Sequence, residues 1–124
     1  MRLYINFVKK HYFSQKTITT TVQVINFSKL FFKIHEADLT DVSKFDSLVK
    51  EIVSDHGQLD FLFNNAGTLA AGKIGEITEE SFEELTNIHL KAPMFLTQAA
   101  MPYLKATRGC IVWFGIEPYA LIQN

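Results

Sequence analysis

Residues 1–56 contain neither glycine nor proline; the six glycines begin at Gly57 and the three prolines at Pro93. A dinucleotide fingerprint needs glycines to turn tightly and to admit a pyrophosphate against a helix N-terminus, so none lies in that stretch. Cysteine is represented by Cys110 alone, which excludes an internal disulfide and suits a reducing compartment. No apolar run approaches the roughly 18 residues needed to span a bilayer. Met1 to Lys10 has an apolar core too short for a signal peptide and ends in lysines. The cytoplasm is therefore the expected compartment. Net charge is only -1, which gives no reason to expect nucleic acid or an anionic membrane as partner. His11, His35, His56 and His89 are far apart and show no metal-ligand spacing with Cys110, so no metal centre is expected.

What remains is an ordinary globular composition: 124 residues, 48% hydrophobic and 20% charged, enough for one domain with a core. Leu3 to Val8, Thr17 to Phe27 and Leu30 to His35 are rich in β-branched and aromatic residues and read as strands, with a polar break from Lys9 to Lys16. We expect residues 1–33 to form an atypical strand segment. Residues 34–124 alternate helix and strand, which points to βαβ units and a parallel sheet.

From Asp38 to His56, the apolar residues Val42, Phe45, Leu48, Val49, Ile52 and Val53 recur at three and four positions, giving one helical stripe. Thr40 or Asp41 can cap its start, and Gly57 stands where a left-handed C-terminal cap belongs. Lys44, Asp46, Lys50, Glu51 and Asp55 read as a solvated face. Leu59 to Phe63 is a mostly apolar run suited to a strand buried on both faces, and it ends in Asn64-Asn65-Ala66-Gly67. Open α/β sheets bind ligands at such strand ends. Thr78 with Glu79 and Glu80 starts a second helical pattern, in which Pro93 should remove a hydrogen bond and Pro102 mark an end. Cys110 to Phe114 reads as another buried strand, with Cys110 a small core residue. Gly67 to Ile74 falls one hydroxyl short of a P-loop, because Ile74 cannot ligate magnesium.

Asn64-Asn65-Ala66-Gly67 with its preceding strand resembles the strand-and-turn signature of the short-chain dehydrogenase/reductase family. Asp38-Leu39-Thr40-Asp41 is similar to that family's upstream acidic turn. Ile88-His89-Leu90-Lys91-Ala92-Pro93 and Gly109-Cys110-Ile111-Val112 fall where its central helix and next strand would be. The resemblance covers about Ile34 to Phe114. It implies part of a doubly wound, Rossmann-like parallel sheet, and relatives that move hydride between NAD or NADP and an alcohol or carbonyl. By the same resemblance Asp38 and Leu39 would meet the adenine, and Asn65, Ala66 and Gly67 would border the cofactor.

The family's catalytic tetrad is asparagine, serine, tyrosine and lysine. The asparagine position carries His89 here, with Asn87 two residues too early, and the serine position carries Ile116, which has no hydrogen-bonding side chain. Tyr119 is too close to Ile116, and four residues beyond it Gln123 replaces the lysine. Lys91 and Lys105 read as surface charges and His89 as a packed, hydrogen-bonded histidine. No residue is assigned a catalytic role. The expected function is a partial or degenerate family member in which cofactor binding is impaired. The alternatives are a non-catalytic interaction protein, pairing through an exposed sheet edge or helix, and a truncated reading of a longer gene. If the first strands did not stand in for those missing beside Leu59–Phe63, a bare edge would favour self-association. The substrate and the choice between NAD and NADP are not encoded in this stretch.

Overall fold

The computed structural model describes residues 3–9, 19–26, 31–68 and 75–113. The polar break at 10–16, the loop at 69–74 and the positions Ile116, Tyr119 and Gln123 lie outside them. Five strands, β1 (Leu3–Lys9), β2 (Thr19–Asn26), β3 (Phe31–Asp38), β4 (Phe61–Asn64) and β5 (Cys110–Trp113), form one sheet in the order β3-β2-β1-β4-β5. β1 pairs antiparallel with β2, and β2 with β3. β1 pairs parallel with β4 and β4 with β5. Four strands therefore share one direction and β2 alone is reversed. The N-terminal runs do stand in for the missing neighbours of β4: β1 flanks it, with Tyr4 opposite Phe61 and Asn6 opposite Phe63.

The reversal has a simple cause. A connection that returns a chain to the same direction needs about a dozen residues or more, usually a helix. Only residues 10–18 and 27–30 connect β1 to β2 and β2 to β3. The first three strands accordingly form a meander. The later crossovers are long enough and carry helices α1 (Phe45–His56), α2 (Glu79–Thr86) and α3 (Ala92–Thr107). Both crossovers step across the sheet in one direction, so the right-handed rule places their helices on one face. Two helices on the opposite face would accompany right-handed steps from β1 to β2 and β2 to β3. Among the described residues that face carries none.

The core lies under α1 and α3. Phe45, Leu48, Val49 and Ile52 of α1 meet Ile88, Ala92, Leu96, Ala100 and Leu104 over Leu59 and Leu62. Asp41 caps the single 3-10 turn before α1 by accepting from the Ser43 amide, while Thr40 bonds to Asp38 instead. Gly57 takes the left-handed conformation, φ 86°, that closes α1. Thr78 accepts from the Ser81 amide and starts α2.

One expectation about the second helical pattern needs correction, that for Pro102. A π turn, Asn87–Lys91, joins α2 to α3, and the Ala92 amide reaches the Asn87 carbonyl five residues back. This widened turn comes just before Pro93, whose ring would otherwise crowd the carbonyl four residues earlier. Pro102 does not end the helix; it sits exposed inside α3, which continues to Thr107. Burial of Leu96, Ala100 and Leu104 on either side of it outweighs the lost bond. Cys110 is exposed and is not a core residue, and β5 presents Val112 and Trp113 to solvent. Among the described residues β5 is the outer strand of the sheet, so one of its edges has no strand neighbour.

α3 ends with Arg108 in the left-handed region, φ 54°, and the Gly109 amide bonds the Leu104 carbonyl at 2.8 Å. A Cβ on Gly109 would lie 2.5 Å from the Asp60 carbonyl oxygen, which accepts from the Cys110 amide at 3.0 Å. The Thr107 hydroxyl donates to the Leu59 carbonyl at 2.6 Å. These contacts set the register of β5 against β4. Gly109→Ala is expected to destabilise the fold by about 1–3 kcal/mol through this overlap, measured by urea denaturation.

His56, the last residue of α1, is buried, and burial pushes its imidazole below the usual value of 6.5 although Asp55 opposes the shift. The unfolded chain therefore takes up a proton that the native state resists, and stability falls as pH drops below 6.5. Asp41 and Asp55 are held below the usual 3.8 mainly by hydrogen bonds from Ser43 and Lys33, so their contribution is lost only at lower pH. The thermal midpoint should fall between about pH 6.5 and pH 5, and His56→Leu should flatten that slope.

Candidate functional site

β3, β4 and β5 run in the same direction, so their carboxyl ends lie along one edge of the sheet. At the end of β3 the Asp38 Oδ1 accepts from the Thr40 amide at 2.9 Å and its hydroxyl at 2.7 Å. This carboxylate thus forms the turn into α1, and Leu39 after it is buried. At the end of β4 the alternation of the strand turns Asn64 inward. Its Nδ2 donates to the Thr97 hydroxyl of α3 at 3.3 Å.

The loop after β4 is tied to the helices at Thr68, which is buried. Its hydroxyl donates to Glu84 Oε1 at 3.1 Å. His89 Nε2, from the π turn, lies 3.0 Å from the Thr68 amide nitrogen and 2.8 Å from its carbonyl oxygen. One ring nitrogen either accepts from the amide or donates to the carbonyl, and the tautomer decides which. His89 is therefore a hydrogen-bonded histidine, as its sequence context suggests. The wide π turn brings it to the loop, and Glu84 lies just upstream on α2.

Of the residues expected to border a cofactor, Leu39 and Ala66 come together. They line one crevice with Asn64, Ile88, Ala92, Pro93 and Leu96. Asp38 flanks Leu39, while Asn65 and Gly67 flank Ala66, all three half-buried. The crevice encloses ≈ 10 Å³, about the space of one water molecule. On the phosphate side, β1 leads to a reversed strand where a pyrophosphate would need a helix N-terminus. On the reacting side, His89 fills the asparagine position with its Nε2 engaged by Thr68. Lys91 and Lys105 are exposed surface charges. Residues 10–18, which follow β1, contain no glycine to form a phosphate loop.

Sequence reasoning missed the bonds of Thr68 to Glu84 and His89, because partners 16 and 21 residues away leave no periodic signal. It also missed a cluster of Lys33, His35, Glu51 and Asp55 on the opposite flank of α1. Alternation of Lys33 and His35 along a strand, with Glu51 and Asp55 one helical turn apart, was its only trace. Among the described residues no helix is long and apolar enough to cross a membrane.

The family model described as short chain dehydrogenase matches residues 11–115. The galactitol 2-dehydrogenase of Agrobacterium fabrum is 40% identical over 67 residues, covering 54% of this chain and 26% of its own length. The sepiapterin reductase of Chlorobaculum tepidum is 35% identical over 78 residues, covering 63% of this chain and 32% of its own length. The structure of a short-chain dehydrogenase from Streptomyces avermitilis superimposes with a TM-score of 0.56 at 30% identity, over 60% of this chain and 28% of that one. The chain thus matches about a quarter to a third of the length of these proteins.

His89→Ala should release the loop after β4. The expected cost is about 1 kcal/mol for the lost buried hydrogen bond. Faster amide hydrogen exchange at Thr68 than in the parent protein would report it, and unchanged exchange there would contradict the tie.

Proposed function

Because the chain belongs to the short-chain dehydrogenase family, we propose that it is a partial, catalytically silent NAD(P)-type oxidoreductase domain. Relatives of this family transfer hydride between NAD or NADP and an alcohol or carbonyl. In this proposal Asp38, Leu39, Asn65, Ala66 and Gly67 form the remnant of an adenine- and ribose-side wall. No glycine stands before Gly57 to form a phosphate loop, and the asparagine and serine positions carry His89 and Ile116. The observation that carries this proposal is the reversed β2, which leaves β1 leading into a hairpin connection where the family motif leads into a glycine-rich loop. The single cysteine and balanced charge support a cytoplasmic setting.

One observation favours a second role. β5 exposes Trp113 by 44% and Val112 by 38%, and β3 exposes Ile34 by 51%, on a sheet whose second face carries no helix among the described residues. Apolar edges and faces of this kind support self-association, in which the chain acts as an interaction module.

Two measurements separate these readings. Titration with NADH or NADPH, followed by Trp113 and cofactor fluorescence, should show no saturable binding tighter than about 100 µM, about 5.5 kcal/mol. Tighter binding would overturn the proposed loss of the phosphate site. Sedimentation velocity should show concentration-dependent association, and a monodisperse monomer with a cooperative thermal transition would exclude the second role.

A further inference from the structure

On the flank of α1 away from the crevice, β3 and α1 bring together four side chains that the proposed function does not use. Lys33 and His35 alternate along β3 and so face the same side. Glu51 and Asp55 stand four residues apart on α1, one above the other. The His35 side chain is 4% exposed, with Nδ1 3.2 Å from Glu51 Oε1 and Nε2 3.9 Å from Asp55 Oδ2. The two carboxylates are open to solvent, at 59% and 34% exposure. Lys33 Nζ is salt-bridged to Asp55 and lies 3.8 Å from Glu51 Oε1.

The imidazole carries the argument. Nδ1 lies beside Glu51, and the other ring nitrogen, Nε2, points toward Asp55. That nitrogen is buried and has no hydrogen-bond partner. It faces Asp55 Oδ2, a carboxylate oxygen that Lys33 salt-bridges at the solvent-open rim of the cluster. A buried ring nitrogen without a partner is costly, and a metal ion between the two groups removes the cost.

We propose that His35, Glu51 and Asp55 bind a divalent transition metal of the Zn²⁺ class, and that the Lys33 ammonium occupies the cation position when the metal is absent. One ligand atom from each of the three residues lies within 4.8 Å of the others. Zinc bonds to imidazole nitrogen and carboxylate oxygen are each about 2.0–2.2 Å, so a bent N–Zn–O arrangement is reached by closing the 3.9 Å gap slightly. Glu51, exposed and unbranched, supplies the third ligand by rotating about its side-chain bonds. A set of one imidazole and two carboxylates leaves a fourth position for water and suits Zn²⁺ or Co²⁺ better than the all-oxygen cages of Ca²⁺. Bound there, the ion would tie the edge strand β3 to α1 and stabilise the native state over the unfolded chain. The site is independent of the cofactor remnant.

The test is calorimetric titration of chelator-treated full chain with Zn²⁺ at neutral pH, together with Co²⁺ absorption spectroscopy. One equivalent should bind with a dissociation constant below about 10 µM, raise the thermal midpoint, and give Co²⁺ bands of four- or five-coordinate geometry. Asp55→Asn and Glu51→Gln, both at solvent-open positions that spare the core, should each weaken binding at least tenfold. Lys33→Gln should tighten it several-fold, because the competing ammonium is gone. Binding weaker than about 100 µM, equal binding by Asp55→Asn or Glu51→Gln, or unchanged or weaker binding by Lys33→Gln would overturn the proposal. His35→Gln joins the series if circular dichroism shows it folded, and full Zn²⁺ affinity in that variant would likewise overturn it.

Discussion

The direction of β2 governs this molecule. A chain cannot return to a parallel neighbour without a long crossover, and the connections around β2 are too short to provide one. From that constraint follow the meander at one side of the sheet and, among the described residues, the placement of the three helices with the later strands. The spatial order β3-β2-β1-β4-β5 is nonetheless the order of a doubly wound nucleotide-binding sheet. The family architecture is kept in strand placement and lost in connectivity. A phosphate group depends on the connectivity, because its ligands are backbone amides at the start of a crossover helix.

The region after β4 shows a related exchange. An asparagine amide at position 89 would offer both a donor and an acceptor. His89 instead uses one ring nitrogen on the main chain of Thr68, and Thr68 completes its bonding with Glu84. The loop after β4 is fastened to the protein's own helices.

The sequence made the α1 stripe, its Gly57 cap, the Thr78 start and the β4 edge legible, because each is a local pattern of period or cap chemistry. The sense of β2 was not legible, since an alternating strand looks the same in either direction. Pro102 misled because its local cost is real but smaller than the burial on both sides of it. Cys110 misled because an apolar run says that a strand suits burial, not that a neighbour is present to bury it. His35 and Asp55 were invisible as partners, because a strand and the helix after it supply one group each and the spacing between them is arbitrary.

The π turn at Asn87–Lys91 has a consequence for comparing this chain with others. It holds one residue more than an α-helical turn would, so residues on its two sides follow helical registers about 100° apart. A straight-helix relative can be matched without a gap to α2 or to α3, but not to both in the same spatial alignment. A one-residue deletion inside the turn would merge the registers and swing His89 away from Thr68. Insertions and deletions here therefore act as rotations of everything upstream relative to everything downstream.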